Sequence, residues 1–211
     1  MQAAARQGVL VIACGALGRE IAALRQVNAW NHMAVSCLPA ELHNRPQMIP
    51  EAVRTKIHAQ RANFDSIFVA YADCGTGGLL DKMLQEEGVE RIGGAHCYEF
   101  FAGSEVFAQM ADAEPGTFYL TDFLLRHFER LVWRGLGLDK HPQLLPQYFG
   151  NYTRLMYLAQ LAQPGQIELA RACADRLGLA FESRVTGYGE LANSLQAHAG
   201  AIKEQRVVWQ N

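Results

Sequence analysis

The sequence predicts an α/β protein, a single domain over residues 1–211 with a mainly parallel, doubly wound sheet and a more helical C-terminal half. Three observations predict it. Short apolar runs such as Val9-Leu10-Val11-Ile12-Ala13 alternate with stretches of helical spacing, the pattern of βα units. Each run stops at a glycine- or proline-bearing turn, and the runs recur about once per βα repeat.

Val9–Ala13 is apolar throughout, as a strand covered on both faces must be, and it ends in Cys14-Gly15. A helix follows from Arg19 to Gln26, with Ile21 and Leu24 on one face. Met33–Leu38 reads as the second strand, stopped by Pro39 and followed by the polar loop Glu41–Pro46. Pro50 suits the first turn of the next helix, which carries Val53 and Ile57. Phe64–Tyr71 is the third strand and breaks at Asp73-Cys74-Gly75-Thr76-Gly77-Gly78, before a helix from Leu79 to Glu87. Val89–Ile92 is a short fourth strand ending at Gly93-Gly94-Ala95-His96-Cys97, and a helix is expected from Tyr98 to Met110. In the second half the spacing predicts a strand at Thr117–Leu120 and helices at Asp122–Trp133, Tyr152–Gln160 and Ile167–Leu177. A last parallel strand is expected at Ala180–Val185.

Composition narrows the function. Half of the residues are apolar, 19% are charged and the formal net charge is -2, so no general attraction to nucleic acid or to an anionic membrane exists. No apolar run approaches the roughly 20 residues of a membrane-spanning helix. Met1–Gln7 leads into the first strand without a signal-type hydrophobic region, and the expected location is the cytoplasm. Five cysteines are then thiols, metal ligands or core residues rather than a disulfide framework.

Four of the reactive positions fall at strand ends: Cys14, His43, Cys74 and the pair His96-Cys97. Cys14 and His43 are 29 residues apart, His43 and Cys74 are 31, and Cys74 and His96 are 22. Residues spaced by one βα repeat return to the same edge of a parallel sheet, where ligand sites form. Gly15, Gly75 and Gly77 are candidate cofactor-binding positions, because glycine turns before helices expose backbone N–H groups. The loop lacks the lysine of a P-loop, and no full dinucleotide fingerprint occurs.

Three chemistries fit these residues. Cysteine and histidine are zinc's preferred ligands, so Cys14, His43, Cys74, His96 and Cys97 are candidate ligands for zinc or iron. An iron–sulfur cluster is a lesser variant, since the cysteine run of ferredoxins is missing. Two facing cysteines can instead act as base and acid on a small-molecule substrate, as in cofactor-independent amino-acid racemases, to whose second cysteine region Ala95–Tyr98 bears a faint likeness. The cysteines can also be structural, being among the most buried residue types. Cys14 and Cys74, beside helix starts, are expected to be partly exposed with depressed pKa values. Cys37, within a strand, and Cys173, within an amphipathic helix, are expected to be buried and inert. The aromatic-rich stretch Tyr148–Arg154 is a candidate pocket wall or helix-packing element.

The chain also resembles a family catalogued as domain of unknown function 1638. The resemblance rests on Ala13-Cys14-Gly15, Leu38-Pro39, Leu42-His43-Asn44, Tyr71 with Cys74-Gly75 and Gly77, and Ala95-His96-Cys97 with Gly103-Ser104. It continues through Pro115-Gly116-Thr117 and Tyr119-Leu120-Thr121. Many relatives place one acidic residue between the histidine and the cysteine, which are adjacent here. The resemblance implies a setting beside corrinoid-dependent methyltransferases, and so one-carbon metabolism with a corrinoid protein as partner. A metal-held thiolate would suit methyl transfer there.

Overall fold

The computed structural model describes residues 7–161 and 163–207, which form two compact units. Of these, residues 7–100 and 190–207 belong to the first and the described residues between 101 and 189 to the second. Both are α/β with wholly parallel sheets, as the alternation of runs predicts.

In the first unit, β1 (Gln7–Cys14), β2 (Met33–Leu38), β3 (Phe64–Ala70) and β4 (Glu90–Arg91) form a sheet in the order β2-β1-β3-β4. The connections are α1 (Gly18–Val27), α2 (Ile49–Gln60) and α3 (Leu79–Glu87). β1 is central, and Val9, Val11, Ile12, Ala13 and Cys14 are wholly buried, which is why its sequence does not alternate. Gly8 is required beside it, since a Cβ there would stand 2.0 Å from the His32 carbonyl oxygen. The chain steps from β1 outward to β2 and then crosses to β3 on the other side. Right-handed crossovers in that order place α2 and α3 on one face, and the two helices do pack together. After α4 (Glu99–Ala102) the chain leaves this unit.

The second unit contains α5 (Ser104–Ala113), β5 (Thr117–Thr121), α6 (Asp122–Arg126), α7 (Leu145–Phe149), β6 (Arg154–Ala159), α8 (Gln166–Leu177) and β7 (Ala180–Val185). Its sheet runs β5-β6-β7. Leu120, Leu155, Tyr157, Ala170, Cys173 and Leu177 form its core. At the carboxyl end of β5 the buried Asp122 accepts from the Tyr157 hydroxyl (2.6 Å) and from the N–H groups of Gln160 (3.2 Å) and Leu161 (3.1 Å), stapling β5 to β6. Helix α9 (Gly189–Val207) then returns to the first unit, where His198 stacks on Phe68 at 3.7 Å.

Several expectations are corrected. The strands divide into a four-stranded and a three-stranded sheet rather than one. β4 is two residues long and offers a fifth strand almost no ladder. The helix expected at Tyr152–Gln160 is the strand β6, buried from Leu155 to Ala159. Its Leu, Met and Ala favour helix locally, but burial between two neighbouring strands decides the outcome. The helix expected at Asp122–Trp133 ends at Arg126 and resumes as a π-helical turn over Glu129–Trp133. The helix expected at Tyr98–Met110 is split by Gly103, whose φ of +84° no helix admits. Of the aromatic stretch, Phe149 and Tyr152 pack edge-on against Phe118.

Candidate metal centre

In open parallel sheets the crevice lies where the strand order reverses. Here that point is between β1 and β3, and Cys14 is the last residue of β1 while Cys74 lies just beyond β3. The loop after β2 brings in His43, and the loop after β4 brings in Cys97. The His43 nitrogen and the Cys74 and Cys97 sulfurs lie within 4.8 Å of one another. The Cys14 sulfur is 3.9 Å from His43 Nδ1, and the Cys74 and Cys97 sulfurs are 3.2 Å apart. All five cysteines are free thiols.

Local structure fixes each group. Cys14 caps a 3-10 turn over Gly15–Leu17, its sulfur accepting from the Ala16 N–H at 3.3 Å. His43 sits in a second 3-10 turn, Ala40–Asn44, with Nδ1 3.0 Å from the Ala40 carbonyl oxygen. Cys74 has φ +51°, a left-handed conformation that costs a non-glycine residue about 1–3 kcal/mol. Its neighbours hold it there. The Asp73 carboxylate accepts from the Thr76 hydroxyl (2.6 Å) and from the Gly77 (3.1 Å) and Gly78 (2.8 Å) N–H groups. The N–H groups of Asp73 and Cys74 donate to Gly94 and Ala95, lacing this loop to the one that carries Cys97. That second loop is braced in turn: buried Glu99 accepts from the Ala95 N–H at 2.9 Å, and Arg91, paired with Asp81, donates to the Ile92 carbonyl.

The charges are arranged with the same economy. Cys14 is brought down to about 5, first by a hydrogen bond from Cys97, then by His43 and the Ala16 N–H, against the opposing effect of burial. Cys74 is likewise brought down to about 5, again through Cys97 first and then His43. Burial works against a charged His43, yet hydrogen bonds and charge from Cys14 and Cys74 outweigh it and raise the ring to about 11. Cys97, hydrogen-bonded to both thiolates and buried, stays a thiol. The arrangement thus favours a charged His43 beside the Cys14 and Cys74 thiolates, with Cys97 kept neutral and its sulfur 3.2 Å from that of Cys74.

Of the expected ligands, His43, Cys74 and Cys97 bring their donor atoms together, and Cys14 lies beside that group, its sulfur 3.9 Å from His43 Nδ1. His96 does not join them: it is exposed, with its ring stacked on Tyr98 at 4.9 Å. Gly15, Gly75 and Gly77 shape the turns, and the Gly77 N–H is already taken by Asp73. The expected exposures are corrected. Cys14 and Cys74 are buried, whereas Cys37 is exposed because β2 is an edge strand. Cys173 is buried as expected, and burial pushes its thiol up to about 11. Sequence reasoning missed Tyr71 as a member of the site. Its ring lies nearly parallel to that of His43, with centroids 6.4 Å apart, and its hydroxyl faces the cysteines. A tyrosine closing a buried strand two residues before Asp73-Cys74 was the available signal.

The fold and the crevice define an α/β protein with a cysteine–histidine centre at the switch point of a parallel sheet. A family described as "Protein of unknown function (DUF1638)" matches residues 37–195, more than half of the chain, and the protein belongs to that family. No curated protein and no solved structure matches. Among the described residues no helix is long and apolar enough to cross a membrane.

Proposed function

We propose that this protein binds one zinc or iron ion through Cys14, Cys74, Cys97 and His43, and that the thiolate-rich centre serves methyl or other one-carbon transfer to or from a small molecule, with a corrinoid protein as partner. The observation that carries the metal reading is the convergence of the His43, Cys74 and Cys97 donor atoms within 4.8 Å; the Cys14 sulfur stands beside this group, 3.9 Å from His43 Nδ1, and is the fourth donor proposed. Thiolate and imidazole are the donor set of zinc and of protein-bound iron. The contact of His43 Nδ1 with the Ala40 carbonyl is the backbone support that orients a metal-ligating histidine, leaving Nε2 to ligate. The one-carbon setting comes from the family resemblance, and it fits the chemistry, because a metal-held thiolate is a methyl acceptor at neutral pH.

A second reading follows from one observation. Cys74 as thiolate lies 3.2 Å from Cys97 as thiol, a base and an acid within reach of one substrate. Elemental analysis of anaerobically purified protein separates the two. About one zinc or iron per chain, lost in Cys74→Ser, supports the metal centre. A metal-free protein in which Cys74 is titratable under native conditions supports acid–base catalysis instead.

A further inference from the structure

Tyr71 follows the last residue of β3 and is wholly buried at the switch point. Its hydroxyl oxygen has no hydrogen-bond partner among the described residues. A buried hydroxyl without an acceptor destabilises a fold, so its retention points to an acceptor that arrives with a ligand. The nearby sulfurs do not fill that role. Cys14 already accepts from the Ala16 N–H and meets His43, and although the phenol stands close enough to Cys14 for the two to interact, no hydrogen bond of good geometry joins them. The other faces of the cluster supply sulfur and imidazole donors. The phenol adds a neutral O–H beside these donors, and O–H donors bond best to oxygen.

We propose that Tyr71 is the ligand-orienting residue of the centre, its O–H donating to the oxygen of a small carboxylate or carbonyl ligand that binds beside the sulfurs. The assignment rests on the metal reading above and adds the class of ligand to it. Sulfur and imidazole hold the ion, and Tyr71 selects a molecule that presents an oxygen lone pair towards β3.

The test uses cobalt(II)-loaded full-length protein, whose visible spectrum reports both metal uptake and added ligands. Acetate and acetamide serve as carboxylate and neutral-carbonyl probes. Tyr71→Phe keeps one cobalt per chain and a melting temperature equal to or above that of the wild type, since the change removes only an unpaired hydroxyl. Its affinity for acetate falls about 10- to 100-fold, the loss expected for one hydrogen bond to a charged acceptor. A parallel loss for acetamide extends the ligand class to neutral carbonyls. Equal acetate affinity in the two proteins, with one cobalt in each, overturns the role of Tyr71 and leaves the metal centre standing. So does a shift of the sulfur-to-cobalt bands of the ligand-free protein without loss of acetate affinity, which would make the hydroxyl a partner of sulfur. Failure of the wild type to take up cobalt overturns the metal reading and the proposal together.

Discussion

Metal-free protein should become more stable as pH rises from 5 to 9, and then less stable. Cys14 and Cys74 have an ordinary thiol value of 9.0 and are held at about 5 in the fold. Their contribution is complete above 9 and disappears as pH falls towards 5. His43 has an ordinary value of 6.5 and is held at about 11, so its contribution is complete below 6.5 and disappears as pH rises through 11. Between 5 and 6.5 the unfolded chain therefore carries two more protons than the native one, and between 6.5 and 9 it carries one more. Above 9 it carries fewer, because native His43 keeps its proton, as does Cys97. Each excess proton changes stability by about 1.4 kcal/mol per pH unit. His43 stands partly in solvent, and halving the total for screening leaves a gain of about 3–4 kcal/mol from pH 5 to 9. The assay is urea unfolding in reductant and chelator from pH 5 to 10, with Cys14→Ser/Cys74→Ser as reference. Wild type and double variant rising in parallel would refute the reasoning, because the slope would then come from other groups.

Three further outcomes are expected. Stripping zinc from loaded protein should lower the melting temperature, since a ligand at 100 times its Kd stabilises the native state by about 2.7 kcal/mol; an unchanged melting curve would place no metal in the fold. Cys173→Ser should cost about 1–3 kcal/mol in urea unfolding, whereas exposed Cys37→Ser should stay within about 0.5 kcal/mol, and both should retain full metal content. Asp122→Ala leaves the N–H groups of Gln160 and Leu161 without their acceptor and the Tyr157 hydroxyl with Gln166 alone, and should cost at least about 2 kcal/mol; a loss below about 1 kcal/mol would show that water replaces the carboxylate.

The first unit was legible because its strands declare themselves. Val9–Ala13 and Phe64–Tyr71 are apolar runs that end in glycine turns, and a parallel sheet returns every strand end to one edge. Knowing that edge was enough to bring Cys14, His43, Cys74 and Cys97 together. Pairing was not legible: period and run length say which residues are extended, and nothing in them says that β5 chooses β6 while β4 stops at Arg91. Arg154–Ala159 misled for a related reason, because Leu-Met-Tyr-Leu-Ala carries helical propensity and a buried run of that length fits either state. Side-chain direction was harder still. His96 and Cys97 share one turn, and only the bonds of Glu99 to the Ala95 and His96 N–H groups decide which of them faces the crevice. Exposure of Cys37 depends on β2 lying at an edge, a property of the sheet rather than of the strand.

In the proposed metal centre, drawing one ligand from each strand end, rather than two from a C-x-x-C turn, has an energetic consequence. A local pair can bind metal in an unfolded chain, and that binding subtracts from any stabilisation of the native state. Here the donors are separated by 29, 31 and 23 residues, and each reaches the crevice only when β1, β2, β3 and β4 are in register. Without the sheet no two of them are close, so nearly all of the binding free energy becomes folding free energy. The same dependence accounts for the strain at Cys74. A left-handed φ of +51° is tolerated because the Asp73 turn and the bonds to Gly94 and Ala95 over-determine it, and those bonds exist only in the assembled edge. Severing Asp73 from Thr76, Gly77 and Gly78, as Asp73→Ala would, should therefore release Cys74 and weaken metal binding although Asp73 is not itself one of the converging donors.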